Sequence, residues 1–303
     1  MEQMVRNRKM KRIMENDMNS TIGRTDLWKA IDLYVSSFEK ILYEEDTTFM
    51  EGMKEKCLAH DDIRKYQFWE WTQGVGLYGF WKLYKEQGRK ECLEKLLAYY
   101  DARLADGLPA KNVNTTAPML TLSFLAEDQK REDYAKVCRE WAEWIMESFP
   151  RTREGGFQHM TSDSLNNQQL WDDTLFMTVL FLANMGRIEG EKSWKEEAEY
   201  QFLLHLKYLA DRRSGLWYHG WSFEENSNFA QALWGRGNCW ITAAIPEFLE
   251  ISHCEGSVRR MLEEALKRQA EALTGNQVAV GMSHTLIDDP QSYPRANTSC
   301  RFG

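Results

Sequence analysis

Proline is scarce: six residues in 303, and the 19 glycines form no linker-like run. A disordered chain, or one of hinged modules, would carry far more of both. No apolar run approaches the ~20 residues that span a bilayer. The basic N-terminus has no apolar stretch behind it, which excludes a secretory signal by that test. The six cysteines, Cys57, Cys92, Cys138, Cys239, Cys254 and Cys300, form no CxxC pair. They read as reduced, buried small hydrophobes and predict a cytoplasmic protein. There is no excess of positive charge either. The net charge is -8, whereas a nucleic-acid partner needs a dense basic face. The run Arg6 to Arg12 stands alone and belongs to a basic tail expected over residues 1–25. Also missing are a GxSxG elbow, an HExxH helix and a glycine loop leading into Lys-Ser or Lys-Thr. His60, Asp61 and Asp62 are adjacent but lack metal-ligand spacing, and DDTLF is not a DDxxD diphosphate motif. These absences argue against a serine or cysteine nucleophile, a metal or a cofactor.

What is present is apolar periodicity. Hydrophobic residues make up 43% of the chain, and tryptophan alone accounts for twelve positions. From Asp26 to Tyr43, residues Leu27, Ala30, Ile31, Tyr34, Val35, Phe38, Ile41 and Leu42 recur at helical spacing and form one stripe. The segment Lys65 to Tyr84 is apolar nearly all round, as buried helices are. This contrast repeats. Amphipathic segments at 26–43, 90–103, 131–148, 194–210 and 256–273 alternate with buried-type segments near 65–84, 116–126, 173–185 and 229–250. The alternation predicts a single all-α domain over residues 26–303, a toroid of helical hairpins with inner helices ringed by outer ones. Short β-pairs are expected at Gly155–His159 and Leu216–Trp221. Nine helices fall short of the twelve that six hairpins need, so the toroid is expected to be incomplete at the C-terminus.

Each buried segment opens with polar or small residues: Glu70 to Gly74, Asn114 to Thr116, Asp172 to Thr174, and Gly235 to Asn238. Helix N-termini carry free N–H groups and a positive dipole end. If the inner helices run parallel, these starts meet at one rim. Asp172 and Asp173 then have two readings. One is capping, with Asp172 as N-cap and Asp173 in the first turn. In the other, one Asp caps while Asp173 points into the bowl as an acid/base. Arg236, flanked by Gly235 and Gly237, is free to grip a carboxylate or to tie down a helix end. His159 and His219 each sit among glycines and aromatics in loops that precede inner helices.

Taken in order, KYQFWEWTQGVGLYGFWKL, NVNTTAPMLTL, GGFQH, QLWDDTLFM, LWYHGW and WGRGNCW resemble the unsaturated rhamnogalacturonyl hydrolases, glycoside hydrolase family 105, which are related to the family 88 unsaturated glucuronyl hydrolases. The resemblance spans residues 26 to 293 and implies an (α/α)6 barrel. It also implies release of a 4,5-unsaturated uronic acid from a short oligosaccharide by hydration of the vinyl ether, with Asp173 as general acid/base. His159, Trp171, His219, Arg236 and Trp240 match residues that line the subsite for the unsaturated sugar. A second acid of the family falls on Asn114, which can hold the sugar but cannot share a proton. Past SYPRANTSCRFG, where only Thr298 and Ser299 echo the family, further helices would be expected. The implied partner is a small anionic oligosaccharide, with neither nucleic acid nor membrane involved. Two alternatives stand beside this: a sugar epimerase relying on His159 and His219, and a non-catalytic oligosaccharide-binding paralogue.

Overall fold

The computed structural model describes residues 24–43, 47–55, 63–278 and 282–295. The chain separates into two compact units, one of Met1–Glu45 with Arg301–Gly303 and one of Asp46–Cys300. In the first, helix α1 (Arg24–Ile41) carries Tyr34 stacked on Phe38. The expected tail lies outside the described residues up to position 23, as do His60, Asp61, Asp62, Cys57, Thr298, Ser299 and Cys300.

The second unit opens with two short helices, α2 (Thr47–Glu55) and α3 (Ile63–Gln67), joined through Met53 and Tyr66. Four helical hairpins follow among the described residues. Their inner helices are α4 (Trp71–Gln87), α6 (Val113–Asp128), α8 (Leu180–Ile188) and α10 (Gly235–Ser252). The outer ones are α5 (Lys90–Asp106), α7 (Glu132–Glu147), α9 (Lys192–Leu209) and α11 (Gly256–Gly275). The inner/outer alternation read from the sequence is therefore the architecture observed. A π-helical turn, Leu175–Val179, leads into α8.

Sequence explains the starts and stops. Asn112 caps α6: its side chain accepts the Thr115 N–H at 3.0 Å, and Thr115 Oγ1 accepts the Asn112 N–H at 2.9 Å. This reciprocal pair satisfies two donors that a helix start leaves free. At α4 the Glu70 N–H is taken by the Gln73 side chain. Gly88, with φ of 70°, ends α4 in the left-handed conformation that costs glycine little.

The inner helices pack through fully buried faces. Gly74 of α4 lies so close to α6 that a Cβ there would sit 2.6 Å from the Ala117 carbonyl carbon and 2.7 Å from Pro118 N. Asn184 of α8 donates to Ser123 of α6 at 2.8 Å. Tyr78 and Lys82 of α4 both reach Glu247 of α10, at 2.5 and 3.1 Å. The four inner helices thus pack in sequence, and side chains of α4 reach α10 directly.

Two sequence expectations need correction. The pairing at Gly155–His159 reduces to a single bridge, Phe157 with Arg151. The two-stranded antiparallel sheet joins β1 (Gln169–Trp171) to β2 (Gly220–Ser222), which overlaps the expected Leu216–Trp221 segment, so Trp171 precedes the inner helix on a strand. In addition, the inner segment expected from 229 begins as a separate 3-10 turn, Phe229–Gln231, and α10 starts only at Gly235.

Gly74→Ala should lower stability by about 1–3 kcal/mol in urea unfolding, because the new methyl meets the backbone of α6, which has no flexible end to yield. An unchanged midpoint and slope would mean that α4 and α6 can separate freely.

Candidate active site

Four chain segments bring their polar starts together. The register of β1 and β2 pairs Trp171 with Gly220, so the next residues, Asp172 and His219, fall side by side. The Asp172 N–H donates to the His219 carbonyl at 3.0 Å. His219 Nδ1 lies 2.8 Å from Asp172 Oδ1 and 3.5 Å from Asp173 Oδ2. Asn238 of α10 fixes the approach of this loop. Its amide accepts the Trp217 N–H at 2.8 Å and donates to the Trp217 carbonyl at 2.9 Å.

The two aspartates differ in setting. Asp172 has no exposure, whereas the Asp173 side chain keeps 18%. Asp172 also reaches the first turn of α10, where Gly237 makes room: a Cβ at 237 would overlap Asp172 Oδ2. Burial pushes both carboxyls up from the usual carboxylate range, and Asp173 is raised further by the adjacent charge of Asp172. Arg236 offsets part of this for both. Burial also lowers the proton affinity of His219, keeping its ring neutral. A neutral ring facing a carboxylate carries its hydrogen on Nδ1, so His219 donates to Asp172. The pair is then arranged to hold a proton on Asp173, the more exposed member.

Aromatic rings wall the site. Trp171 stacks on His159 with ring centres 4.3 Å apart and meets His219 edge-on at 4.7 Å. Trp240 packs against Trp71 and Phe176. The Arg236 guanidinium lies over Trp234 at 4.1 Å and Trp71 at 5.7 Å. Arg236 Nε and Trp240 Nε1 are buried with no hydrogen-bond partner. Buried donors of this kind cost free energy unless a partner arrives.

Of the residues singled out from sequence, Asp173, Trp171 and His219 are in mutual reach, and His159 stacks behind Trp171. Arg236 and Trp240 come in from α10 through Trp71. Asn114, in the first turn of α6, lies near the Glu70 carboxyl and lowers its proton affinity. His159 is buried, its Nδ1 2.9 Å from Thr174 Oγ1, and burial lowers its pKa to about 3.

The sequence marked Asp172 as a helix cap and Glu70 as part of a polar helix start, and neither as a site residue. Burial pushes the Glu70 carboxyl up to about 7, against a lowering pull from the Trp71 N–H and the nearby side chains of Asn114 and Ser162. Its local sequence reads only as a helix start. Among the described residues, Asp172, Asp173 and His219 form the one acid/imidazole cluster whose ligand atoms, all within 4.8 Å, are close enough to hold a metal ion.

The sequence matches the family model for Glycosyl Hydrolase Family 88 over residues 43–302. It is 30% identical over 233 residues to the unsaturated rhamnogalacturonyl hydrolase YesR of Bacillus subtilis, covering 76% of this chain and 68% of that protein. Among solved structures, it resembles a possible member of the GH105 family from Klebsiella pneumoniae, with 48% identity and a TM-score of 0.74. That match covers 76% of this chain and 61% of the Klebsiella chain, so the present chain spans less than two thirds of that protein. A possible GH105 member from Salmonella enterica superposes with a TM-score of 0.83 at 41% identity, covering 92% and 74% of the two chains. The unsaturated glucuronyl hydrolase of Bacillus sp. GL1, at 20% identity and a TM-score of 0.60 over 75% and 63% of the two chains, shares the fold.

A histidine held neutral in the fold ties stability to pH. The His159 pKa falls from 6.5 to about 3, so its contribution is complete above pH 6.5 and is lost as pH falls toward 3. His159→Gln should flatten the slope of unfolding free energy against pH in that window by up to ~1.4 kcal/mol per pH unit. Equal slopes for the two proteins would show that His159 charges freely inside the fold.

Proposed function

Because the chain belongs to glycosyl hydrolase family 88, we propose that it releases a 4,5-unsaturated uronic acid from the non-reducing end of short, pectin-derived rhamnogalacturonan oligosaccharides. The observation that carries this reading is the proton-holding carboxyl of Asp173. It is partly open at the rim, beside Arg236 and an aromatic wall. Hydration of a vinyl ether needs a group that first gives a proton and then takes one. Protonated Asp173 delivers its proton to carbon 4, the electrons of the double bond forming the new C–H bond and leaving positive charge at carbon 5. Water adds at carbon 5 as the Asp173 carboxylate accepts its proton. The resulting hemiketal opens and expels the neighbouring sugar. One carboxyl therefore suffices, and the two-carboxylate spacing rule of ordinary glycosidases does not apply.

The remaining residues take supporting roles. Arg236, with its unpartnered buried Nε, pairs the uronate carboxylate. Trp171 and Trp240 offer flat faces to the ring, and His219, fixed by Asp172, faces Asp173. Asn114 holds a hydroxyl. His159 works from behind Trp171, its pKa of about 3 making it a poor proton carrier near neutrality. That disfavours the epimerase reading, which needs two working imidazoles. Cys92, Cys138 and Cys254 are buried free thiols, and a cytoplasmic setting is part of this proposal. Among the described residues, no helix is long and apolar enough to cross a membrane.

Incubation with an unsaturated rhamnogalacturonan disaccharide should abolish the conjugated ultraviolet absorbance. Asp173→Asn should slow that loss by ~100-fold or more, and the native rate should fall as pH rises through the raised pKa of Asp173. Full turnover by the Asn variant would eliminate the mechanism. A chelator should leave the rate unchanged; a loss restored by a divalent cation would instead give Asp172, Asp173 and His219 to a metal.

A further inference from the structure

The side chain of Gln269 is fully buried, and the reaction above does not use it. Gln269 stands on α11, an outer helix, yet its Nε2 donates to two oxygens of one inner-helix residue. These are the Asn238 carbonyl at 3.1 Å and Asn238 Oδ1 at 3.0 Å. Its own Oε1 is buried with no hydrogen-bond partner among the described residues. An amide placed for stability alone would satisfy both of its ends; this one leaves its acceptor bare while delivering its donor.

That donor lands on a clamp. Asn238 Oδ1 also takes the Trp217 N–H, while Asn238 Nδ2 gives to the carbonyls of Trp217 and Trp234. An amide oxygen has two lone pairs, and Trp217 and Gln269 fill both. By holding the side-chain and backbone oxygens of one residue, Gln269 fixes the torsions of the Asn238 side chain. The same outer helix touches the clamped loop beside Gln269: a Cβ at Gly215 would sit 2.8 Å from the Arg268 carbonyl oxygen. Leu216 and Leu273 of α11 share one apolar cluster. Two residues past Trp217 comes His219, with Nδ1 2.8 Å from Asp172 Oδ1 and 3.5 Å from Asp173 Oδ2. One residue before Asn238 comes Gly237, which abuts Asp172. We propose that Gln269 is a positioning residue for the acid: from the outer ring it fixes Asn238, and through Asn238 and Trp217 it sets the His219 ring against Asp172 and Asp173. This rests on the hydrolase reading above.

Gln269→Met keeps the length of the side chain and removes both the donor and the bare acceptor. It strands no buried group. Asn238 Oδ1 keeps the Trp217 N–H, and the Asn238 carbonyl keeps the Thr242 hydroxyl at 2.5 Å. The melting temperature should therefore stay within a few degrees of native. Turnover should not be spared: kcat should fall about fivefold or more, with KM changed less. Hydrogen exchange at the Trp217 amide should quicken by a similar factor. In a His219→Ala background the Met substitution should cost nothing further in kcat, because it acts through that ring. A merely structural glutamine would show no such dependence on His219.

A native kcat in Gln269→Met, unchanged exchange at Trp217, or a loss of kcat that persists in full without His219 would each overturn the proposal. Native protein that consumes no unsaturated substrate would instead remove the hydrolase reading, and this inference with it. Native turnover beside an indifferent Gln269→Met removes the inference alone.

Discussion

Asp172 has lost all contact with water, and its neighbours are arranged to compensate. A buried carboxylate is tolerated only where donors and positive charge replace its hydration. Here a donor, His219, and a positive charge, Arg236, come from parts of the chain far apart in sequence, while Asp172 Oδ2 is left without a hydrogen-bond partner. His219 arrives just before the partner strand of a two-stranded sheet, Arg236 arrives at the start of α10, and Gly237 withholds a side chain where any Cβ would collide. Asn238 then bolts the His219 loop to α10 through both backbone polar groups of one residue, Trp217. Asp173 inherits its setting from this arrangement, because the charge that raises its proton affinity is the one its neighbour must carry. Orientation and acidity of the more open aspartate thus have a common cause.

The hairpin architecture makes such a meeting possible. Inner helices that pack side by side present their free N–H groups at one end, where negative and polar side chains are favoured. The far ends are tied by ordinary polar contacts, such as Glu247 with Tyr78 and Lys82, and Arg187 with Glu127. Chemistry and fastening are therefore separated along the helix axes. The same end collects tryptophans, whose rings exclude water and strengthen every charge interaction near them. Unpartnered donors on Arg236 and Trp240 fit a surface shaped for a ligand with many oxygens.

Much of this was legible in the sequence. Helices that are apolar all round alternate with amphipathic ones because inner helices touch protein on every side and outer ones on a single side. That difference is written locally, so α4 and α5 or α6 and α7 could be told apart by periodicity alone. Strand pairing was not legible. Gln169–Trp171 and Gly220–Ser222 are three residues each, too short for an alternating pattern, and they pair across some fifty positions. Glu70 escaped because the burial that raises its carboxyl comes from other parts of the chain, while within its own segment it has the signature of a cap. The start of α6 was read two residues late for a similar reason, since Asn112 and Asn114 are equally good caps by type and only the reciprocal bond with Thr115 distinguishes them.

The wide turn at Leu175–Val179 sits immediately after the aspartate pair. Such turns accommodate one residue more than a regular helix would, and they recur beside functional sites. Each residue advances an α-helix by about 100°, so an extra one puts the segments before and after it out of phase. The direction in which Asp172 and Asp173 face is therefore not dictated by which side of α8 is greasy. The two-stranded sheet aims the carboxyls while the core sets the rotation of the helix, and the turn absorbs the mismatch as a coupling between two shafts would. Substitutions that repack α8 can accumulate without re-aiming the acid, so the buried half of this helix and its reactive half are free to change on separate schedules.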